Sequence, residues 1–444
     1  MKNTNRRRFL QSTTALGAGY WVAGGVSAKA SRSALEEIRF ACIGVGGKGS
    51  SDSKDAANNG RIVAICDVDD NTIAERKKDE DFEDAQVFND YRKLFDKVGK
   101  EIDAVTVSTP DHTHAVATAA ALRLGKACYT QKPLTRTIWE ARRLAELAAT
   151  SKVATQMGNQ GSEQPGLRSA AAKLKSGILG NVKEIHVWTN RPVWPQGIPR
   201  PEEQPIPANL HWDEFIGPVE MRPYNAAYHP FKWRGFWAFG TGALGDMACH
   251  TLNVAFAGCD LTNPVSVQAT TTGHNKETFP ASSKIVYEFA ATKNRPPLKM
   301  IWYDGGNKVD PAMLDGRNRS DSGLLVLGDK GKMYSPNDYG AECFFTGVED
   351  KEVDFERSPG HFREFATAIK TGKPTWSNFE NYAGKLTEVI LLGNLAVWAA
   401  GEAKPDGQQV SSDKLEWDAA NLKVKGTDKY DSLIRPQYRT GYDL

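Results

Sequence analysis

Phe40-Ala-Cys-Ile-Gly-Val-Gly-Gly-Lys-Gly49 carries an apolar strand into Gly44-x-Gly46-x-x-Gly49, and Arg61-Ile-Val-Ala-Ile-Cys-Asp67 follows as a second strand that ends on an acid. The acid lies eighteen residues past Gly49, close to the ~20 of a dinucleotide fingerprint. Gly44 permits the tight turn. Gly46, with Gly47 beside it, lets backbone approach a pyrophosphate, and Gly49 lets the following helix pack close to the strand. The N-terminus of that helix offers unpaired N–H groups to phosphate oxygens. Asp67 can accept hydrogen bonds from both hydroxyls of an adenosine ribose and repels a 2′-phosphate, which favours NAD over NADP. A bare glycine-rich turn without a ligand is the plainer reading, but strand, glycines, strand and acid in this order argue against it.

Outward from this stretch the alternation continues. Asp103–Ser108 is an apolar strand ending in Thr109-Pro110-Asp111-His112-Thr113-His114, and a helix follows from about Ala115 to Leu124. Ala127–Thr130 is the next strand and ends at Gln131-Lys132-Pro133. An amphipathic helix runs from Ile138 to Thr150, and Val153–Met157 closes the series at Gly158-Asn159-Gln160. Strands alternating with helices predict a doubly wound parallel sheet over residues 38–158. Beyond it the texture changes. Residues 192–231 are rich in proline and aromatics, and then strand-like runs appear at Val182–Trp188, Val265–Thr272, Lys284–Phe289, Lys299–Tyr303 and Gly323–Leu327. With helices at Phe362–Thr371 and Asn378–Ala400, residues 159–400 read as an α+β domain with an open, mostly antiparallel sheet. Residues 401–444 read as a charged tail docked by its tyrosines and arginines.

The 444 residues are too many for one ordinary core. With 56 Lys and Arg against 54 acids, and no basic block, nothing points to a nucleic acid. The first thirty residues stand apart. Arg6-Arg7-Arg8-Phe9-Leu10, a Gly/Ala-rich apolar stretch and Ala28-Lys29-Ala30 form the three regions of a signal peptide of the twin-arginine type. The apolar stretch is too short to span a bilayer. The segment therefore predicts twin-arginine export to the periplasm or beyond, with the export machinery as a partner and no stable membrane insertion. Six cysteines show neither a disulfide framework nor metal spacing, and no metal is expected.

The glycine fingerprint, Thr109-Pro110-x-x-x-His114, Gly125-Lys126…Lys132-Pro133 and Gly245-Asp246-x-x-x-His250 occur in this order, and together they resemble the Gfo/Idh/MocA family, named for glucose–fructose oxidoreductase and inositol dehydrogenase. The resemblance runs from about Ile38 to Ala400. It implies a Rossmann domain binding NAD(P), a C-terminal sheet that supports substrate binding and homo-oligomers, and oxidation or reduction of a secondary alcohol on a sugar or polyol. Gln131 stands where the family has glutamate. It keeps an amide for the nicotinamide ribose and removes a negative charge beside Lys132.

Asp246 and His250 share a face at i, i+4 of a helical run from Gly242 to Ala257. The resemblance gives His250 the part of base for the hydroxyl proton, Lys132 the polarisation of the same oxygen, and Asp246 the tuning of the imidazole. The plain alternative is a core histidine with an aspartate neighbour. Thr109, Pro110 and His114 are expected at the cofactor, and Asn159, Trp233, Arg234 and Trp237 at the substrate, where rings stack on sugar C–H faces. The rival activity is a redox-neutral, NAD-dependent glycoside hydrolysis by oxidation, elimination, hydration and reduction. Retention of Lys132-Pro133 leans toward ordinary dehydrogenation.

Overall fold

A computed structural model describes residues 37–444; the twin-arginine segment at 1–30 lies outside the described residues. The first sheet is built by β1 (Ile38–Ile43), β2 (Gly60–Cys66), β3 (Gln86–Phe88), β4 (Ala104–Val107), β5 (Ala127–Thr130) and β6 (Thr155–Met157). The order is β3-β2-β1-β4-β5-β6 and every pairing is parallel. Along β1 successive side chains enter different cores. Ala41 and Ile43 pack on one face, Phe40 and Cys42 on the other. A sheet buried on both faces needs continuous apolar strands, which is why these runs carry almost no polar residues.

Helices α1 (Lys48–Asn59), α2 (Asp70–Arg76), α3 (Tyr91–Val98), α4 (Asp111–Arg123) and α5 (Ile138–Ser151) make the crossovers. Thr137 and Glu140 close a reciprocal capping box at the start of α5, fixing where the chain re-enters helix after Lys132-Pro133. The helix expected from Ala115 begins four residues earlier, at Asp111, because Pro110 at its N-cap is compatible with a helix start.

After α6 (Pro165–Lys175) comes the second sheet. Its strands are β7 (Val182–Trp188), β8 (Ser266–Thr271), β9 (Ser283–Phe289), β10 (Leu298–Tyr303), β11 (Gly323–Gly328), β12 (Lys332–Pro336) and β13 (Phe344–Thr346). Their order is β13-β12-β11-β7-β10-β9-β8, antiparallel except where β10 lies parallel to β7. The excursion between β7 and β8 carries α7 (Trp212–Ile216), α8 (Gly242–Thr251) and α9 (Asn253–Gly258). The run expected as one helix from Gly242 to Ala257 is therefore two, meeting at Leu252. The Pro- and aromatic-rich stretch has a core of its own, in which Trp212, Phe215, Tyr224, Tyr228, Phe236 and Phe239 pack together.

Then follow α10 (His361–Thr371) and α11 (Gly384–Ala399). Helix α11 is apolar nearly all round and packs against β8, β9, α5 and α8, which ties the two sheets into one body. Residues 401–444 do more than dock through side chains. They add β14 (Val410–Ser411), β15 (Leu415–Asp418) and β16 (Lys423–Val424), the first two pairing with β8, before α12 (Asp431–Ile434). Among the described residues no helix is long and apolar enough to cross a membrane.

Candidate active site at the strand ends

Carboxyl ends of β1, β2, β4 and β5 face one cleft of about 640 Å³, whose far wall comes from the second sheet's side of the chain. This is where an open parallel sheet presents its loops to a ligand. Gly44, Gly46, Gly47, Asp67, Thr109, Pro110, His114, Gln131, Lys132, Trp233, Arg234, Asp246 and His250 all line it. Residues as far apart as 44 and 250 thus meet in one cavity.

At the nucleotide end the backbone does most of the work. Gly44 has φ +79°, and a Cβ there would lie 2.6 Å from the carbonyl oxygen of Ser108. Gly49 is not in the lining; a Cβ on it would run into the Gly44 carbonyl oxygen, so it serves the close packing of α1 on the strand turn. Gly47 caps α1 with no side-chain acceptor, no acid sits in the first turn, and a Cβ at Gly47 would meet nothing within 4 Å. Open space above free helix N–H groups suits a pyrophosphate.

Asp67 accepts from the N–H of Val45 at 2.9 Å through Oδ2 and from that of Asp69 at 3.1 Å through Oδ1. Burial pushes its carboxyl up, against these two N–H groups. Each oxygen keeps a lone pair for a ribose hydroxyl. The residues present therefore fit a dinucleotide. His114 acts as a brace more than a contact. Its ring nitrogens lie 2.8 Å from the carbonyl oxygens of Thr109 and Pro133, joining the turns after β4 and β5.

Gln131 shows how the missing glutamate is tolerated. Its Nε2 donates at 2.8 Å to Asp52, a wholly buried acid on α1 that also accepts from the Ser108 hydroxyl at 2.7 Å and pairs with Lys48. The acid has moved from the strand end to the helix. Only the absence of charge at position 131 hinted at it in the sequence.

At the other end side chains do the work. Lys132 Nζ donates to Asp246 Oδ1 at 2.7 Å and to the Asp246 carbonyl at 2.9 Å. Arg234 Nε lies 3.2 Å from the same carboxylate and Arg191 Nε 3.5 Å from its other oxygen. Burial alone would raise the Asp246 carboxyl, but Lys132 and Arg234 hold it well below the usual carboxylate range. Asp246 thus grips the lysine, and its charge also acts on the imidazole, opposing the lowering there more weakly than burial and Lys132 drive it. His250 is buried, with Tyr339 edge-on at 4.9 Å, and its Nδ1 has no hydrogen-bond partner. Burial, aided by the Lys132 cation, holds the imidazole well below its ordinary value, so it is neutral at pH 7.

Three expected substrate residues land differently. Arg234 is engaged twice over. Besides Asp246 it pairs with buried Asp111 at 2.9 Å and stacks 4.3 Å from the Trp233 ring, so it positions the network more than it reaches outward. Trp237 is outside the cleft. It stacks on Phe279 at 3.6 Å, donates to the Thr278 carbonyl and lines a separate cavity of about 220 Å³, because the bridge between Phe236 and Thr278 turns it away. Asn159 is fully buried and off the lining, with neither Oδ1 nor Nδ2 hydrogen-bonded. Conversely Arg191, Trp194, Phe231, Tyr339 and Tyr442 line the cleft. Of these, Arg191 and Tyr339 carry no sequence signal, and Tyr442 reads only as a docking residue of the tail. Among the described residues no cluster of His, Cys, Asp or Glu is placed to hold a metal.

A family model described as an oxidoreductase family NAD-binding Rossmann fold matches residues 38–159, and one described as that family's C-terminal alpha/beta domain matches residues 174–444. An inositol 2-dehydrogenase/D-chiro-inositol 3-dehydrogenase from Lacticaseibacillus casei is 29% identical over 147 residues, 32% of this chain and 42% of that protein. A D-xylose 1-dehydrogenase [NADP(+)] from Haloarcula marismortui is 23% identical over 195 residues, 43% of this chain and 53% of its own. The chain thus spans about half the length of these curated relatives. In structure it is similar to the WlbA dehydrogenase from Bordetella pertussis in complex with NADH and UDP-GlcNAcA. The TM-score is 0.57 at 15% identity, over 86% of this chain and all of that one, a likeness of fold.

Proposed function

We propose a function from one premise: the chain belongs to the Gfo/Idh/MocA oxidoreductase family. On that premise it is an exported, NAD-dependent oxidoreductase acting on a secondary hydroxyl of a sugar, polyol or glycoside. The observation that carries this reading is the single cleft that joins the glycine cradle and Asp67 to Lys132, Asp246 and His250. Bound nicotinamide would supply a hydride acceptor and donor. The chain's own groups do the rest. Lys132, held by Asp246, donates a hydrogen bond to the alcohol oxygen, and neutral His250 takes the hydroxyl proton as the carbinol hydrogen leaves. His250 Nδ1, at the cleft, and Asn159, buried off its lining, both keep unused hydrogen-bonding capacity. Asp67 favours NAD over NADP.

Relatives named as inositol and xylose dehydrogenases support the substrate class. Arg6-Arg7 and the apolar stretch behind them support export of the folded protein. Outside the cytoplasm little free NAD replaces a spent molecule, so the hydride returns to a second carbonyl compound and the cofactor stays in place. Purified protein, denatured with acid, should release nicotinamide cofactor. With no added NAD it should then turn over many equivalents of sugar plus a carbonyl acceptor. Absence of cofactor, together with no reduction of added NAD or NADP by any sugar or polyol tried, overturns the reading. Aglycone release from a glycoside without acceptor would favour the hydrolytic rival instead.

A further inference from the structure

Tyr442, 350 residues along the chain from the Arg92 guanidinium that stacks on it, lines the cleft at its nucleotide end beside Asp67, Asn89, Asp90 and Tyr91. We infer that residues 438–444 form a strap over the adenosine half of the dinucleotide site, with Tyr442 a cofactor-contact residue that slows release. This rests on the dinucleotide reading above.

The strap is held to the first domain and to the excursion after β7 by side chains and one backbone hydrogen bond rather than by a sheet. The Arg92 guanidinium sits 4.4 Å from the Tyr442 ring and donates to the Gly441 carbonyl at 3.4 Å, while Asp90 grips the same arginine at 2.9 Å. The Tyr438 hydroxyl donates to Glu140 at 2.6 Å, and the Arg439 N–H donates to the Pro218 carbonyl at 3.0 Å. Arg439 also pairs with Asp213, and Asp443 with Arg123 at 3.2 Å. No residue beyond Ile434 belongs to a helix or strand. Asp213 and Asp443 are 54% and 88% exposed, and exposed pairs of this kind are weak. The strap can therefore lift to admit a cofactor while its more buried anchors at Glu140 and Asp90 return it.

A purine is a flat aromatic with a polar edge, and a tyrosine at the cleft wall offers it a ring to pack against while Asp67 takes the ribose. The ligand class is an adenine dinucleotide, and the contact lies at its adenosine half, not at the nicotinamide. This device would keep a cofactor in place where none can be replaced.

The test uses the full chain and three variants: Tyr442→Ala, Tyr442→Phe and a deletion of residues 440–444. NADH release is followed by loss of bound-cofactor fluorescence on a chase with excess NAD, and binding of 5′-AMP and of nicotinamide mononucleotide is measured separately. Tyr442→Ala and the deletion should release NADH roughly tenfold faster and weaken AMP by a similar factor, with nicotinamide mononucleotide unchanged. Tyr442→Phe should keep slow release. Unchanged release and AMP affinity in both truncating variants, at an unchanged thermal midpoint, overturn the strap while leaving the dinucleotide reading intact. If either is destabilised, release from Tyr442→Phe as fast as from the deletion overturns it equally. A wild-type protein that binds neither NADH nor AMP overturns both readings.

Discussion

The two ends of the cleft are made of different material. At the nucleotide end, Gly44, Gly46, Gly47 and Asp67 come from 24 consecutive positions and act largely through backbone, either as N–H groups or as room left by a missing Cβ. At the chemical end, Lys132, Arg191 and Arg234 come from distant parts of the chain and converge through charged side chains on the Asp246 carboxylate, with neutral His250 lining the same cleft. The first is preorganised by the turn between a strand and a helix. The second is preorganised by ion pairing out of bulk solvent, where each charge depends on the others. A substitution at the nucleotide end should therefore change which cofactor binds and how tightly. A substitution at the chemical end should change rate while leaving cofactor affinity alone.

The largest break in that symmetry is expected at the chemical end. Lys132→Ala and His250→Ala should each lower turnover by about 10²–10⁴-fold with NADH affinity within a few fold of wild type, read by steady-state kinetics beside fluorescence titration. Because His250 is held neutral well below its ordinary value, activity requiring its free base persists as pH falls through 6.5. Protonation in the folded protein comes only at lower pH, so the acid limb of kcat should lie clearly below 6.5. A limb at 6.5 would mean that the working base is ordinary and solvated.

Gln131→Glu sharpens the boundary between the two ends. It would set a second carboxylate about where Nε2 now meets buried Asp52 at 2.8 Å, and like charges at that distance cannot both ionise comfortably. A loss of about 1–3 kcal/mol in stability is expected, recovered in large part by adding Asp52→Asn. Thermal or urea unfolding of the four proteins in the cycle checks it. Additive losses would show that the two positions do not communicate.

Asp67→Ala should shift the NAD/NADP affinity ratio by roughly tenfold toward NADP, with little change in turnover at saturation. An unchanged ratio would place the ribose elsewhere. The smallest effect is expected at Trp237→Phe. Its ring packs on Phe279 and faces the second cavity, so KM for substrate should not move, whereas Trp233→Ala, at the cleft wall, should raise it.

The same contrast explains what could be read from the chain before its structure. Spacing encodes backbone, so the glycine cradle, Asp67 and five of the six parallel strands are legible in residues 38–157, the three-residue edge strand Gln86–Phe88 being too short to read. The runs at Val182–Trp188 and Lys284–Phe289 are equally clear from apolar patterning. Spacing does not encode which side chains converge. Asp246 reads as a partner for His250 four residues on, yet the folded chain brings Lys132 and Arg234 to it from 114 and 12 positions away. Trp237 reads like Trp233, and a single isolated bridge at Phe236 sends it to the other side. Asp52 was hidden because a buried acid on a helix looks like any other helical acid until Gln131 is seen to donate to it. The strands at 410–424 are only two to four residues long, and two of them pair with β8 far back in the sequence, too short for a periodic signal.

The most direct test of the cleft as one hydride-transfer site is absorbance at 340 nm from stoichiometric, protein-bound nicotinamide after anaerobic mixing with a panel of sugars and polyols. Wild-type protein loaded with NAD should show a rise with at least one secondary alcohol, reversed on adding a carbonyl acceptor. Lys132→Ala, loaded to the same extent, should show that rise slowed by about 10²-fold or more. Equal rates in the two proteins would contradict the joining of the glycine cradle to the Lys132–Asp246 pair in a single active site.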